Sequence, residues 1–348
     1  YFRRRIYVEN TSKEELFRKW ATPKGLTSWF IARAEYTDER GRKRDPDEVV
    51  RPGDSYHWTF HVGSTVEGTV LKVEENTIFS FTFGKNDLNT QDKVVVTALI
   101  FEKDGHIGFD ILEENLLPSK YSQVHVYISQ NMGWMFHQVN LKSLLECNHD
   151  LRVSGVNRMH VDAPSGYPLD EYQWTRFRQN EYIKSPRELV FEKWATPKGI
   201  VEWFIAEAIY TSEESHARAP FELIEAGDTY TWRFFSGITL NGKILQVKKD
   251  EFLQFTFGKK EPNSDEDVIV SVHFNDYEKD QTLIFLIQEN IADNEYGKVT
   301  FNLSCILGWS YFLTNLRSVL EAGNDLREKD PQIAAESRAY TLSRDIDG

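Results

Sequence analysis

Two Glu-Asn pairs are the residues of this sequence most able to perform acid–base chemistry. Glu114-Asn115 and Glu289-Asn290 each lie at the end of a predicted strand that enters an apolar domain. A carboxyl group buried at such a place has a raised pKa and can act as a general acid or base. The alternative is a turn at the strand end, in which both side chains are solvated.

Aromatic residues that alternate along predicted strands form a second candidate site. Ligand sites are concave, largely apolar and carry few polar groups, so such rings could line a pocket for a flat or acyl ligand. An ordinary core is the alternative, because aromatic side chains bury large areas. We predict ligand contacts in both halves of the chain at Trp58, Phe81, Trp134, Trp232, Phe255 and Trp309, together with Glu114 and Glu289.

The other reactive residue types lack the spacing that their chemistry requires. The histidines do not recur between the two halves of the chain, and none fits the His-Glu-x-x-His pattern of a zinc site. Cys147 has no obvious histidine partner that would activate its thiol. Gly63 and Gly68 match neither nucleotide-binding pattern. The sequence therefore predicts no metal site, no cofactor and no assignable catalytic residue.

The charge and composition restrict the possible partners and location. The chain has a net charge of −13 and repels phosphate backbones, so we predict no nucleic-acid partner. The basic clusters Arg3-Arg4-Arg5 and 40–44 are predicted to be a solvated strand end and a solvated loop. No apolar run is long enough to span a bilayer. Two cysteines at non-equivalent places fit the reducing cytoplasm.

The aromatic candidates recur because the chain contains an internal repeat. The segment Trp20–Gly25 recurs as Trp194–Gly199, and the same offset relates further matches up to the middle of each half. After one inserted residue, Gly133-Trp134 recurs as Gly308-Trp309. The period is far longer than that of a solenoid repeat, so each copy is predicted to be a complete domain with its own core.

The repeat and the intervening composition predict the domain organisation. We predict a first domain at 1–152, a linker rich in glycine and proline at 153–170, a second domain at 171–327 and a polar tail at 328–348. The tail either forms a short helix around 332–338 or frays.

The same order of elements is predicted in each copy. Ile6–Glu9 is typical of a strand, Ser12 can cap a first helix, and Pro23 suits the first turn of a second short helix. Several strands with period-two alternation follow, as expected for half-buried antiparallel strands. Each copy then ends in one long segment of helical periodicity, about 124–146 in the first. A twisted sheet can wrap around such a helix.

This order, with the motif Ala21-Thr22-Pro23 to Trp29-Phe30 and the closing pair Gly133-Trp134, resembles the START-like (SRPBCC) superfamily. Within it, the chain resembles the bacterial proteins named after the activator of the heat-shock protein 90 ATPase. The second copy repeats the motif at Ala195-Thr196-Pro197 to Trp203-Phe204. The resemblance implies an α+β fold of two tandem helix-grip domains, in each of which an antiparallel sheet curves around a long C-terminal helix.

The resemblance also sets the functional alternatives, because family members include lipid carriers, co-chaperones, cyclases and hydrolase-like enzymes. We predict a cytoplasmic binding protein that holds a small hydrophobic ligand between sheet and long helix. The first alternative is a co-chaperone-like module with a protein partner such as a chaperone. The second is a cyclase or hydrolase-like enzyme that uses Glu114 or Glu289.

Overall fold

The computed structural model describes residues 1–119, 122–152 and 172–342. These residues divide into two compact units, and each unit contains one seven-stranded antiparallel sheet. The predicted linker at 153–170 lies outside the described residues, as do residue 171 and the tail from 343 onwards. The domain boundaries therefore stay predictions.

The first domain has the predicted order of elements. Its strands are β1 (Phe2–Val8), β2 (Arg33–Thr37), β3 (Ser55–Thr59), β4 (Thr65–Glu74), β5 (Ile78–Lys85), β6 (Lys93–Lys103) and β7 (His106–Glu114). The sheet order is β1-β7-β6-β5-β4-β3-β2, and every neighbouring pair is antiparallel. Its helices are α1 (Lys13–Ala21), α2 (Pro23–Thr27), a π-helical segment (Ser122–Gln130) and α3 (Asn131–Cys147).

The second domain repeats this architecture. Its strands are β8 (Phe177–Ile183), β9 (Glu207–Thr211), β10 (Thr229–Arg233), β11 (Thr239–Lys248), β12 (Phe252–Lys259), β13 (Asp267–Glu278) and β14 (Gln281–Glu289), in the order β8-β14-β13-β12-β11-β10-β9. Its helices are α4 (Arg187–Ala195), α5 (Pro197–Val201), the single turn α6 (Glu295–Gly297), a π-helical segment (Lys298–Leu303) and α7 (Ser304–Ala322). The tail forms α8 (Pro331–Leu342). The predicted fold of two tandem helix-grip domains is thereby confirmed.

The two short helices of the motif are formed by local hydrogen bonds. The Ser12 hydroxyl accepts a hydrogen bond from the Glu15 amide and caps α1, as predicted. Thr22 ends α1 and starts α2: its Oγ1 accepts from the Gly25 amide at 3.0 Å and donates to the Arg18 carbonyl at 2.9 Å. Pro23 then fits the first turn of α2, where no amide hydrogen is needed. The Ala-Thr-Pro motif therefore forms the turn between the two helices.

Irregular strand pairing bends each sheet around its long helix. In the first domain the register shifts between β4 and β5 at Val70 and Lys72, and between β5 and β6 at Phe83 and Lys85. Shifts occur between the matching strands of the second domain. Such irregularities bend and twist a strand, so the inner face of the sheet becomes concave.

The long helices begin differently from the prediction. The first starts with a π-helical segment, and in the second a π-helical segment directly follows the single turn α6, whereas the periodicity predicted one continuous α-helix. Val124, Val126 and Ile128 are all buried, although residues two apart lie on opposite sides of an α-helix. π-helical turns are rare and are frequently found at functional sites.

Candidate functional site

The inner face of the first sheet and the facing side of α3 enclose a cluster of aromatic rings. Trp58 and Phe81, from β3 and β5, have ring centroids 5.1 Å apart, and Phe81 lies 6.4 Å from Trp134 of α3. Phe30 stacks on Trp134 at 5.0 Å. The structure therefore brings together the three aromatic candidates of this copy, and all three are buried.

The second domain contains the same cluster. Trp232 and Phe255 have ring centroids 5.3 Å apart, and Phe204 stacks on Trp309 at 5.1 Å. All three predicted aromatic residues of this copy are buried. The aromatic framework therefore does not distinguish one copy from the other.

The two predicted glutamates do not join these clusters. Glu114 is exposed and Glu289 is partly exposed. The asparagines beside them have left-handed backbone angles, with φ 63° at Asn115 and φ 60° at Asn290. Their side-chain amides donate to the carbonyls of Lys93 and Asp267 across the sheet. The asparagine of each Glu-Asn pair therefore forms a turn at the end of its strand. A turn at this place was the alternative interpretation of the two pairs.

The interior carboxyl of the first domain is instead Glu113, which the sequence analysis missed. Side chains alternate along a strand, and Phe109, Ile111 and Glu113 of β7 are all buried on the inner face. The signal that could have found Glu113 is this alternation, continued two residues beyond Ile111. The burial that acid–base chemistry at Glu114 would require is therefore found at its neighbour Glu113.

Glu113 is held by two side chains from the long helix. The indole Nε1 of Trp134 donates to Glu113 Oε2 at 2.8 Å. With the amide nitrogen of Gln130 turned towards the carboxyl group, Gln130 donates to both oxygens, at 2.9 and 3.2 Å. Burial raises the pKa of Glu113 to about 8, and the hydrogen bond from Trp134 opposes that rise. Glu113 is therefore largely protonated at neutral pH and can give or take a proton there.

Arg4 and Asn131 extend this polar group. Arg4 of β1 is 1% exposed, and its Nε donates to Asn131 Oδ1 at 2.5 Å. Burial lowers the pKa of Arg4 to about 10, which leaves its guanidinium protonated at neutral pH. The Nδ2 of Asn131, the first residue of α3, is buried and has no hydrogen-bond partner in the described part of the chain.

The expectation that Arg3-Arg4-Arg5 forms a solvated strand end is therefore wrong. Arg4 faces the interior, and Arg3 and Arg5 face the other side of β1, where both pair with the buried carboxylate of Asp110. A run of three arginines on a strand places alternate residues on opposite faces. The partners of these arginines come from β7 and α3, more than a hundred residues away in the chain.

The matching positions of the second domain hold neutral side chains. In the strand pairing, Phe2 lies opposite Glu113 as Phe177 lies opposite Gln288. The Oε1 of Gln288 accepts from Trp309 Nε1 at 2.8 Å, and its Nε2 donates to the Phe301 carbonyl at 2.8 Å. Gln179 takes the place of Arg4 and donates to the carbonyl of Ile306, which takes the place of Asn131. The three ionisable or polar residues of the first domain are thus replaced by two glutamines and an isoleucine.

The edges of the two aromatic clusters also differ. In the first domain, Phe83 and Gln130 are partly exposed beside Gly84. A Cβ at Gly84 would lie 3.8 Å from the Gln130 amide, whereas a Cβ at Gly258 would lie 3.2 Å from the ring of Phe301. The glycine at this edge therefore lies next to the aromatic ring of Phe301 in the second domain and next to the polar side chain of Gln130 in the first.

The grouping of candidate metal ligands and the state of the cysteines are further features of the described residues. Within 1–119, 122–152 and 172–342, no three His, Cys, Asp or Glu side chains are grouped so that they could hold a metal ion. Cys147 and Cys305 are not joined in a disulfide bond, and both are partly buried. No helix in the described ranges is long and apolar enough to cross a membrane.

A protein-family comparison bears on this architecture. The family model described as "Activator of Hsp90 ATPase homolog 1-like protein" matches residues 184–321, which is most of the second domain. The second domain belongs to this family. The first domain has the same fold as the second and is related to it by the internal repeat of the sequence. The resemblance predicted from the sequence is therefore confirmed.

Several solved structures are similar to parts of the chain. A protein from Staphylococcus saprophyticus has 24% identity over 44% of this chain and 96% of its own, with a TM-score of 0.34. The Aha1 dimer from Colwellia psychrerythraea has 19% identity over 43% and 98%, with a TM-score of 0.35. A protein of the dynemicin biosynthetic locus has 12% identity over 93% and 98%, with a TM-score of 0.33. No curated protein matches the chain.

Proposed function

We propose that this protein binds a small hydrophobic ligand in its first domain, between the inner face of the sheet and α3. The single observation that supports this proposal is the contrast between the two interiors. Glu113, Arg4 and Asn131 lie where the second copy has neutral side chains. Two cysteines that are not joined in a disulfide bond are compatible with the predicted cytoplasmic location.

The contrast favours binding because buried polar groups are costly. A buried donor without a partner costs about 1–3 kcal/mol, and a buried charge costs more. The second domain forms the same fold with glutamines at two of these places, and they hydrogen-bond to the Ile306 and Phe301 carbonyls and to Trp309. The fold therefore does not require ionisable side chains at these three positions, and a ligand that contacts these groups gives a reason to retain them.

Binding of the neutral apolar dye Nile red to the full chain tests this proposal. We expect saturable binding with a stoichiometry of one, measured by fluorescence titration. Phe83→Trp enlarges a partly exposed ring that lies 5.3 Å from Trp134, so it should weaken binding by about tenfold or more through overpacking. Phe257→Trp is the matched control, because Phe257 lies 5.2 Å from Trp309 in the second domain.

The proposal requires that Phe83→Trp weakens Nile red binding more than Phe257→Trp does. Absence of saturable dye binding contradicts the proposal, and so does equal weakening by Phe83→Trp and Phe257→Trp. Native mass spectrometry of mildly purified protein then identifies any molecule that copurifies, because a bound ligand adds its mass to that of the chain.

A co-chaperone-like role is the second proposal, and it is supported by the family to which the second domain belongs. If the chain acts on Hsp90, the ATPase rate of purified Hsp90 should rise by at least about twofold when the full chain is added. This threshold is chosen to exceed assay variation. The measurement is steady-state ATP hydrolysis, with an Hsp90-specific inhibitor to subtract background. An unchanged rate at saturating chain concentration contradicts this role without affecting the ligand proposal.

A further inference from the structure

We propose that the ligand of the first domain carries an anionic oxygen group, such as the carboxylate of a small apolar acid, which binds to Arg4 and Asn131 beside Glu113. This inference rests on the proposed ligand-binding function. It adds the chemical class of the ligand and the end of the ligand that the polar residues contact.

The first reason is the set of donors that converge on one place. Arg4 places a buried guanidinium, which is the side chain best suited to bind a carboxylate, beside the amide of Asn131. The Nδ2 of Asn131 is buried and has no partner within the described residues. An acceptor oxygen between these two groups would satisfy that amide hydrogen.

The second reason is the spacing of Arg4 and Glu113 on the sheet. Arg4 pairs with Ile111 on β7, so Glu113 is its diagonal neighbour on the same inner face. Diagonal neighbours in an antiparallel pair lie about 7–8 Å apart, so the two side chains start from neighbouring places on that face.

The third reason is that the aromatic cluster continues directly from these polar groups. Trp134 donates to Glu113 with its Nε1 and stacks on Phe30 with its ring. A molecule with a charged end at Arg4 would therefore have its apolar part against the aromatic rings. The second domain has Gln179 and Ile306 at the matching positions and is not expected to bind an acid.

A comparison of octanoate with 1-octanol tests the proposal, because the two probes share an eight-carbon chain and differ in charge. Both compete with Nile red for the full chain. We expect octanoate to bind roughly 10- to 100-fold more tightly than 1-octanol, as is typical of charge-assisted hydrogen bonds. Arg4→Gln should remove this preference, because it gives the first domain the side chain that the second domain has at this place.

Two further variants keep the test decisive. Arg3→Gln removes the same charge from the outer face of β1 and should preserve the preference for octanoate, which separates a specific contact from a general field. Asn131→Asp retains the shape of the side chain and a partner for Arg4, yet repels an anion. It should abolish the preference even if Arg4→Gln fails to fold, as monitored by circular dichroism.

The outcomes separate this inference from the proposed function. Equal binding of octanoate and 1-octanol, or a preference that survives both Arg4→Gln and Asn131→Asp, overturns the anionic ligand but leaves ligand binding intact. Failure of the chain to bind Nile red overturns the proposed function itself.

Discussion

Replacing Glu113 with glutamine is expected to stabilise the first domain by an amount that grows as the pH rises from about 5 to 8. The folded state holds the pKa of Glu113 at about 8, above its ordinary value of 4.5, because the carboxyl group is buried. A group with a raised folded-state pKa contributes stability that is full below the unfolded pKa and is lost as the pH rises through the folded pKa. The wild-type domain should therefore lose stability across this window, whereas Glu113→Gln should not.

The expected size follows from linkage. Each unit of pKa difference corresponds to about 1.4 kcal/mol, so the variant should gain on the order of 3–5 kcal/mol over wild type between pH 5 and 9. Hydrogen–deuterium exchange of peptides from α3 measures this gain for the first domain, and peptides from α7 report the second domain in the same sample. Glutamine is tolerated at this position because Gln288 accepts the same indole hydrogen bond in the second copy.

The reciprocal change provides the control. Gln288→Glu places a carboxyl group beside Trp309 and should give the second domain the pH dependence that Glu113→Gln removes from the first. If α3 peptides of the wild-type chain exchange with the same free energy at pH 5 and pH 8, the buried carboxyl group is not protonated as described and this prediction is wrong.

Replacing Asn140 with alanine is expected to destabilise the first domain by about 2–5 kcal/mol. Asn140 is buried on α3, its Nδ2 donates to the Trp29 carbonyl at 2.8 Å, and its Oδ1 accepts from the Leu151 amide at 2.6 Å. The alanine variant leaves both backbone groups buried without a partner, and each such group costs about 1–3 kcal/mol. One side chain thus connects the end of the helix motif to the segment that follows α3.

Urea unfolding followed by tryptophan fluorescence, together with exchange in α3 peptides, measures this loss. The twin variant Asn315→Ala should destabilise the second domain equally, because Asn315 makes the same bonds to the Trp203 carbonyl and the Leu326 amide. Asn89→Ala alters an exposed asparagine and should change stability by less than about 0.5 kcal/mol. A comparable effect of Asn140→Ala and Asn89→Ala would contradict the structural role of Asn140.

The repeated Asn-Leu and Asp-Leu-Arg matches illustrate how the repeat relates to structure. The sequence shows that Asn140-Leu141 and Asp150-Leu151-Arg152 recur in the second copy, but does not show why. In the structure, Arg152 donates to the carbonyls of Thr27 and Ser28 while Asp150 orients its guanidinium. The function of these residues is to attach the end of each copy to its helix motif, a contact between distant segments.

The π-helical segment of each long helix shows a feature that the periodicity of apolar residues did not predict. The apolar residues from Val124 onwards predict a helix at the right place, and the structure contains one. The type of turn is decided by which residues the sheet buries. This requires the positions of strands that precede the helix in the chain, so the local pattern could not distinguish π from α geometry.

The sequence by itself determined that the protein has two copies of one α+β domain, because a repeat in fixed order and local capping and alternation are properties of neighbouring residues. Only the tertiary structure decided the chemistry of the interiors. The side of β7 that faces α3 selects Glu113 over Glu114, and the side of β1 that faces inward separates Arg4 from Arg3 and Arg5. These choices depend on strand register and on partners as far as 127 residues away, where a shift of one residue exchanges the two faces.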